Sequence, residues 1–391
     1  MTRRRPSPLA LAAAGYVALQ AGKTAAALRA AGRAPAAVEP SPGRLARVVV
    51  AQPILSGDPG LEDALRDNLL ALEGARFCWL VDTDDPEAQR VARRLAADLG
   101  RADDATTVVE VVLCEPAPDG TNPKLWKLQA ALDGCRPDDV LVVLDDDTRL
   151  PLASLGALLG GLDRATLATG LPAYLPGSTL WARLVEQFVD NNAAVTYLPM
   201  EPVTINGMTW AMRVADLRAM GGFGPMLRSL TDDLAVAGRV LDDGGTICQT
   251  ASPQWLTTTV PTGGHYVRLM HRWMLFATVL LRRQPLSKVA AISTLHGTHP
   301  LLLWTLLLGT ARTRRPGPLL AVLTVRSLLL EVVQRRIHGR SLQRPVLSVV
   351  SELAQPVHLG HGALRRTITW RTHVYRVHAD DRFTPVPEPA R

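Results

Sequence analysis

The sequence predicts an α/β protein: a doubly wound parallel sheet with helices on both faces, followed by a basic, membrane-associated helical region. Three observations predict this. Strand-like and helix-like stretches alternate from residue 47 to residue 144, the pattern of a parallel sheet. The last strand, Val140–Leu144, is a continuous apolar run that leads straight into Asp145, Asp146 and Asp147, as expected of a strand buried on both faces. Charge is also divided. Between residues 282 and 376, fifteen Lys and Arg face two acids, Glu331 and Glu352, giving +13, so the rest of a chain of net charge +7 carries −6. The 391 residues, 47% of them hydrophobic, suffice for one large domain or two. Cys78, Cys114, Cys135 and Cys248 are too scattered for a zinc pattern or a disulfide framework, which favours a reducing compartment.

In chain order, residues 1–5 are basic and 6–22 are uncharged, mostly Ala and Leu. The stretch reads as an anchor or interfacial helix, with a signal peptide or a plain Ala-rich helix as alternatives. Gly22-Lys23-Thr24 lacks both the first glycine and the preceding strand of a P-loop. Residues 34–43, with Pro35, Pro40 and Pro42, read as a linker. Strands are expected at 47–52, 77–81, 107–113 and Val140–Leu144, and helices at 60–72, 87–99 and 124–132. The strand at 77–81 also ends in carboxylates, Asp82, Asp84 and Asp85. Right-handed crossovers bring both acidic ends to one sheet edge, where ligands of such sheets bind.

Asp145 and Asp147 are suited to offering hard oxygen ligands to Mg²⁺ or Mn²⁺, which also takes oxygens from a diphosphate. Asp147 capping a helix that starts near Pro151 is the bland alternative. Further on, a helix is expected at 178–196, an extended segment at 203–212 and a turn at Gly221-Gly222-Phe223. Thr231-Asp232-Asp233 opens a helix that ends at Asp243-Gly244-Gly245. Thr231 suits an N-cap, and the two acids suit the positive end of the helix dipole or a general base. Arg268 and Arg272 lie four apart in 266–273, as a phosphate grip or a solvated stripe. His265 and His271 show no metal spacing.

Of three apolar stretches beyond residue 282, only 289–309 has spanning length without charge. Arg326 and Glu331 break 317–333, and Glu352 breaks Pro345–Leu364. Arginines flank these stretches and are separated by Leu and Val rather than by stacking aromatics. Nucleic-acid binding is one reading of such a basic region, but this composition argues against that partner and favours an anionic membrane surface.

Taken in order, these motifs resemble the lipid-modifying inverting glycosyltransferases of the ceramide glucosyltransferase-like group. Gln52-Pro53-Ile54-Leu55-Ser56-Gly57-Asp58-Pro59 resembles the group's opening strand and loop, with Gln52 where Lys is usual. Val81-Asp82-Thr83-Asp84-Asp85-Pro86 resembles its first aspartate site, Asn122-Pro123-Lys124 its Asn-Pro-Lys, and Asp145-Asp146-Asp147 its Asp-x-Asp. Thr231-Asp232-Asp233 resembles the acidic pair whose second member is the base, and Arg272-Trp273 the end of the last motif, where Leu269 replaces Gln or Arg. Thr369-Trp370-Arg371 is similar to a tail common among bacterial members.

The resemblance implies a GT-A, Rossmann-like nucleotide-diphospho-sugar transferase at the cell membrane, its catalytic domain on the cytoplasmic side. It would transfer a hexose, glucose by the resemblance, from a UDP-sugar to a lipid hydroxyl, with a divalent cation, Mg²⁺ or Mn²⁺, on Asp145 and Asp147. The alternatives are a polysaccharide or soluble acceptor, or a non-catalytic membrane-surface binding protein. Asp82 or Asp84 would hold the uridine, Lys124, Arg272 and Trp273 would serve the donor, and Asp233, beside Asp232, would be the base. The expected division is an apolar helix at 1–33, a catalytic domain at 44–283, membrane-associated helices at 284–366 and a tail at 367–391.

Overall fold

The computed structural model describes residues 7–99, 107–370, 373–378 and 381–386; the basic run 1–5 and Arg371 of the tail motif lie outside them. Contacts divide the chain into a sheet unit (34–177, 201–259 and 367–391) and a helical unit (1–33, 178–200 and 260–366). The expected boundary at 283 is therefore not where contacts change. The helices Leu180–Tyr197 and Gly263–Arg282 pack on Pro345–Leu364, whereas the tail belongs with the sheet.

The sheet unit contains β1 (Val48–Ile54), β2 (Arg76–Asp82), β3 (Val108–Cys114), β4 (Val140–Leu144), β5 (Thr148–Arg149), β6 (Leu167–Tyr174), β7 (Thr209–Arg213) and β8 (Ile247–Leu256), in the order β3-β2-β1-β4-β7-β6-β8-β5. β3, β2, β1 and β4 are parallel, as expected. β7 runs antiparallel to both β4 and β6, and β5 antiparallel to β8. The sheet is thus mixed, not doubly wound parallel throughout. Strand direction depends on how the chain returns to the sheet, which apolar patterning does not encode. The reversal has a consequence for the site: Thr209 pairs with Leu144, so the Asn206-Gly207-Met208 turn lies beside the end of β4.

Side chains alternate across the strands, and both faces are covered. Val48 and Val50 face Leu65 and Leu69 of the Leu61–Ala71 helix, Ala92 of Pro86–Leu99 and Leu158 of Leu152–Leu162. Val49 and Ala51 face Leu125 and Leu128 of Pro123–Asp133 and Val236 of Asp232–Asp242. Double-sided burial explains the unbroken apolar runs, each fully buried Val or Leu contributing about 1.5–3 kcal/mol. The edge strand β3 instead keeps Val108, Glu110 and Leu113 exposed. The expected linker at 34–43 lies against Leu152–Leu162, where a Cβ on Gly156 would meet the Val38 carbonyl oxygen at 1.6 Å, a close approach that requires glycine. After β8 the unit is completed by an antiparallel sheet of β9 (Thr367–Trp370), β10 (His373–Val377) and β11 (Phe383–Pro385).

The helical unit comprises Pro8–Ala31, Leu180–Tyr197, Gly263–Arg282, Leu286–Ile292, Thr298–Thr313, Gly317–His338 and Pro345–Leu364. A π-helical turn, Ser293–Gly297, interrupts the stretch 289–309. Among the described residues, the helix long and apolar enough to cross a membrane is Gly317–His338, reversing the ranking expected from sequence. The charges that seemed to break these helices are paired. Buried Glu352 accepts from Arg326 Nε at 2.6 Å and from the Tyr16 hydroxyl at 2.8 Å, and meets His299 Nδ1 at 2.8 Å.

Candidate active site

The acidic ends of β2 and β4 flank β1 at one sheet edge. Beyond Leu144 the chain makes a tight turn closed by Thr148 N–H donating to the Asp145 carbonyl at 3.2 Å. Asp146 faces β1 and accepts the Leu55 N–H at 2.8 Å. Asp147 accepts from the Thr148 hydroxyl at 3.0 Å. The next helix begins after Pro151 with no side-chain cap, so the capping alternative for Asp147 does not hold. Buried Asn68 pins the exit, donating to the Thr148 carbonyl at 2.7 Å and accepting from Leu150 N–H at 2.9 Å.

Lys124 joins this turn to the second acidic cluster. Asn122 caps Pro123–Asp133 through its side-chain oxygen. Its amide donates to the carbonyls of Ser229 and Leu230 at 3.0 and 2.9 Å, just ahead of Asp232. Lys124 Nζ then reaches Asp145 Oδ1 at 2.7 Å, Asp232 Oδ2 at 2.8 Å and the Gly207 carbonyl at 2.7 Å. The contact with Asp232 is an ion pair outside hydrogen-bonding geometry. Held between two carboxylates and one carbonyl, Lys124 is a brace, and the donor-binding role expected for it would require giving up one of these contacts. Its pKa is raised: burial opposes its charge, but Asp145 and Asp232 more than offset this.

Two carboxylates are also shifted upward. Asp147 is pushed up to about 8, first by burial and then by the charges of Asp145 and Asp146. Asp233 is held well above the ordinary carboxylate range by burial and then by Asp232, against the Leu234 N–H that it accepts at 2.9 Å. Gly207 closes over this pair: a Cβ there would lie 3.3 Å from the Asp233 Cβ. Thr231 occupies the N-cap position of Asp232–Asp242, but its side chain caps nothing. It donates instead to Asp381 at 2.6 Å.

At the end of β2, Asp82 pairs at 2.6 Å with Lys127, a lysine only 1% exposed that also donates to the Ile54 carbonyl. Asp84 is exposed in the turn that follows. Asp85 accepts the N–H groups of Ala88 and Ser56 at 3.0 and 2.9 Å, which draw its pKa below the usual range despite burial. Gln52, in the position where Lys is usual, is buried and accepts from Trp79 Nε1 at 2.9 Å. Arg272 and Trp273 lie on Gly263–Arg282 in the helical unit, where Trp273 packs on Phe188 with ring centroids 6.1 Å apart. Leu269 is buried and Arg268 exposed on the same helix.

Sequence reasoning missed Asn68, Lys127 and Asp381. A lysine at the fifth helical position after Asn122 could have been noticed, but nothing local marks the other two.

The residues present fit a divalent ion. Among the described residues no group of three or more His, Cys, Asp or Glu is placed to hold one alone. Asp145 and Asp147 place two hard oxygen donors on one turn, and burial followed by the charges of Asp145 and Asp146 raises the proton affinity of Asp147. That suits an ion completing its shell with substrate phosphate oxygens.

Solved structures similar to the chain include the mannosyltransferase PcManGT from Pyrobaculum calidifontis in complex with GDP-Man and Mn2+, at 18% identity and a TM-score of 0.48, covering 91% of this chain and 98% of that one. The galactosyltransferase LgtC in complex with donor and acceptor sugar analogs matches at 12% identity and 0.32, over 52% and 72%. S. aureus TarS 1-349 matches at 11% and 0.35, over 84% and 96%. None of these three reaches a TM-score of 0.5. No curated protein matches. The profile of glycosyl transferase family 21 matches residues 7–383. The chain therefore belongs to glycosyl transferase family 21 and is a glycosyltransferase.

Proposed function

We propose that the protein is a membrane-associated inverting glycosyltransferase that moves glucose from UDP-glucose to the hydroxyl of a ceramide-like or other lipid. The observation that carries this reading is the Lys124 bridge, which joins the β4 turn, suited to a metal and diphosphate, to the helix start that bears Asp233. Asp145 and Asp147 would hold Mg²⁺ or Mn²⁺, and that ion would stabilise the charge on the departing diphosphate. Asp233, whose surroundings strengthen it as a base, takes the proton from the acceptor hydroxyl as the oxygen attacks the anomeric carbon from the opposite face. Lys124 holds Asp145 and Asp232 in register. Asp82 and Asp84 are assigned to the uridine, Asp82 as held by Lys127, and Arg272 and Trp273 to the donor.

The lipid acceptor and membrane location, at the cell membrane with catalysis on the cytoplasmic side, draw support from the helical unit. Exposed large apolar side chains concentrate there, among them Leu286, Leu301, Leu308, Leu328, Val346 and Val357; such surfaces mark contact with lipid or partners. The test is a screen of radiolabelled UDP-glucose, UDP-galactose and GDP-mannose with a total lipid extract, with and without Mn²⁺. Label from UDP-glucose should enter the organic phase with the anomeric configuration inverted. Label found only in water-soluble product would overturn the lipid acceptor, and retained configuration the mechanism.

A further inference from the structure

The start of the Asp233-bearing helix is held from two sides by distant parts of the chain. Asn122 donates to the carbonyls of Ser229 and Leu230 on one side. On the other stands the connection between β10 and β11, which carries Asp381. This residue is fully buried and sits in the left-handed region at φ 67°, uncommon for a residue with a Cβ. The Leu230 N–H donates to the Asp381 carbonyl at 2.9 Å. The Thr231 hydroxyl donates to Asp381 Oδ2 at 2.6 Å, and the Thr231 N–H approaches the same oxygen at 3.4 Å. Thr231 is thus drawn away from capping its own helix, and the linkage to Asp381 fixes the residue two positions before Asp233.

We propose that Asp381 is a positioning residue for transfer, holding the first turn of the Asp232–Asp242 helix through Thr231 so that Asp233 meets the acceptor hydroxyl. This rests on the role of Asp233 as base. A buried carboxylate in a strained backbone conformation, bonded to the Thr231 hydroxyl, is an effective way to fix one turn of helix. It also adds negative charge beside Asp233, in the direction that strengthens the base. The tail is therefore part of the reaction site and not an appendage to it.

The experiment uses the full chain. Asp381→Ala and Thr231→Val should each lower kcat on the order of 10²-fold, the scale of a misplacement of about 1 Å, with affinity for UDP and Mn²⁺ unchanged. Because they break one linkage, the double variant should lose no more than either single one. Thr231→Ser, which keeps the hydroxyl, should turn over like the parent. Amide exchange at residues 230–234 should quicken in Asp381→Ala and Thr231→Val but not in Thr231→Ser.

A folded Asp381→Ala with parental kcat would overturn the proposal, as would additive losses in the double variant. If Asp381→Ala does not fold, Thr231→Val and Thr231→Ser decide the matter alone. If the parent transfers no sugar from any donor, the base assignment falls. Exchange at 230–234 then judges the linkage by itself, and unchanged protection in the variants would refute it.

Discussion

Replacing each acid at the start of the Asp232–Asp242 helix by its amide separates chemistry from electrostatics. In Asp233→Asn the amide keeps the volume and can still accept the Leu234 N–H that now bonds Asp233 at 2.9 Å. The fold should therefore persist while the base is lost, lowering kcat by roughly 10²–10⁴-fold with UDP affinity retained. Asp232→Asn leaves Lys124 with Asp145 and Gly207. The lost ion pair involves side chains 17% and 21% exposed, between an exposed pair at about 1 kcal/mol and a fully buried one at about 3–5 kcal/mol. That exceeds the roughly 0.3–1 kcal/mol of an acid that only faces a helix dipole. Asp232 is also the leading charge that raises Asp233, after burial. With Asp233 as the proposed base, activity requires its ionised form and so rises with pH through its pKa. Removing the Asp232 charge lowers that pKa, and the acid limb of the kcat/KM profile should move to lower pH. The assay is the pH profile of both variants with UDP titration and thermal melting. A shift of the limb to higher pH in Asp232→Asn would refute the electrostatic reasoning. An inactive Asp232→Asn with normal UDP binding, beside an active Asp233→Asn, would move the base by one residue.

Asp147, pushed up to about 8, binds a proton more tightly folded than unfolded. The metal-free protein should therefore lose stability from this group as pH rises from about 4 toward 8. Over the same range Mn²⁺ affinity should increase with proton release, and calorimetry should find both trends flattened in Asp147→Asn. Lys127→Met removes the buried cation paired with Asp82 at the end of β2 and should cost about 3–5 kcal/mol in urea unfolding, whereas an exposed-pair value of about 1 kcal/mol or less would contradict the burial of Lys127. Gly207→Ala places a Cβ 3.3 Å from that of Asp233 and should depress kcat while sparing UDP affinity; equal losses in both would indicate a disturbed β7 instead.

The parallel half of the sheet was legible because each of its inner strands is buried on both faces and so reads as an apolar run. The antiparallel half was not: residues 203–212 look extended, yet only Thr209–Arg213 is a strand, and its direction follows from a return through Leu180–Tyr197 that no local pattern records. The carboxylates themselves were visible because Asp145, Asp147, Asp232 and Asp233 stand at element boundaries, where acids accumulate for chemical reasons. What they touch was not visible. Lys124 could be located beside Asn122 and Pro123, but its partners lie 21, 83 and 108 positions onward, at Asp145, Gly207 and Asp232. Gly317–His338 was underrated because Arg326 reads as an interruption until Glu352 is found opposite it.

The site gathers many more acids than bases, and the fold gives them unequal tasks. Asp146 secures the end of β1 through Leu55, Asp85 caps Pro86–Leu99 and holds Ser56, and Asp381 holds Thr231. Asp145 and Asp232 share the charge of Lys124. The two whose proton affinity the surroundings raise, Asp147 and Asp233, are those assigned to the metal and to the acceptor. Burial, and after it the crowding of like charge, raises both, which suits Asp147 to the proposed divalent ion and Asp233 to the proposed role of base. Left alone, such crowding would drive the β4 turn and the helix start apart. Lys124 opposes this by binding Asp145 and Asp232 at once, which is why its removal should be felt at both ends of the site together.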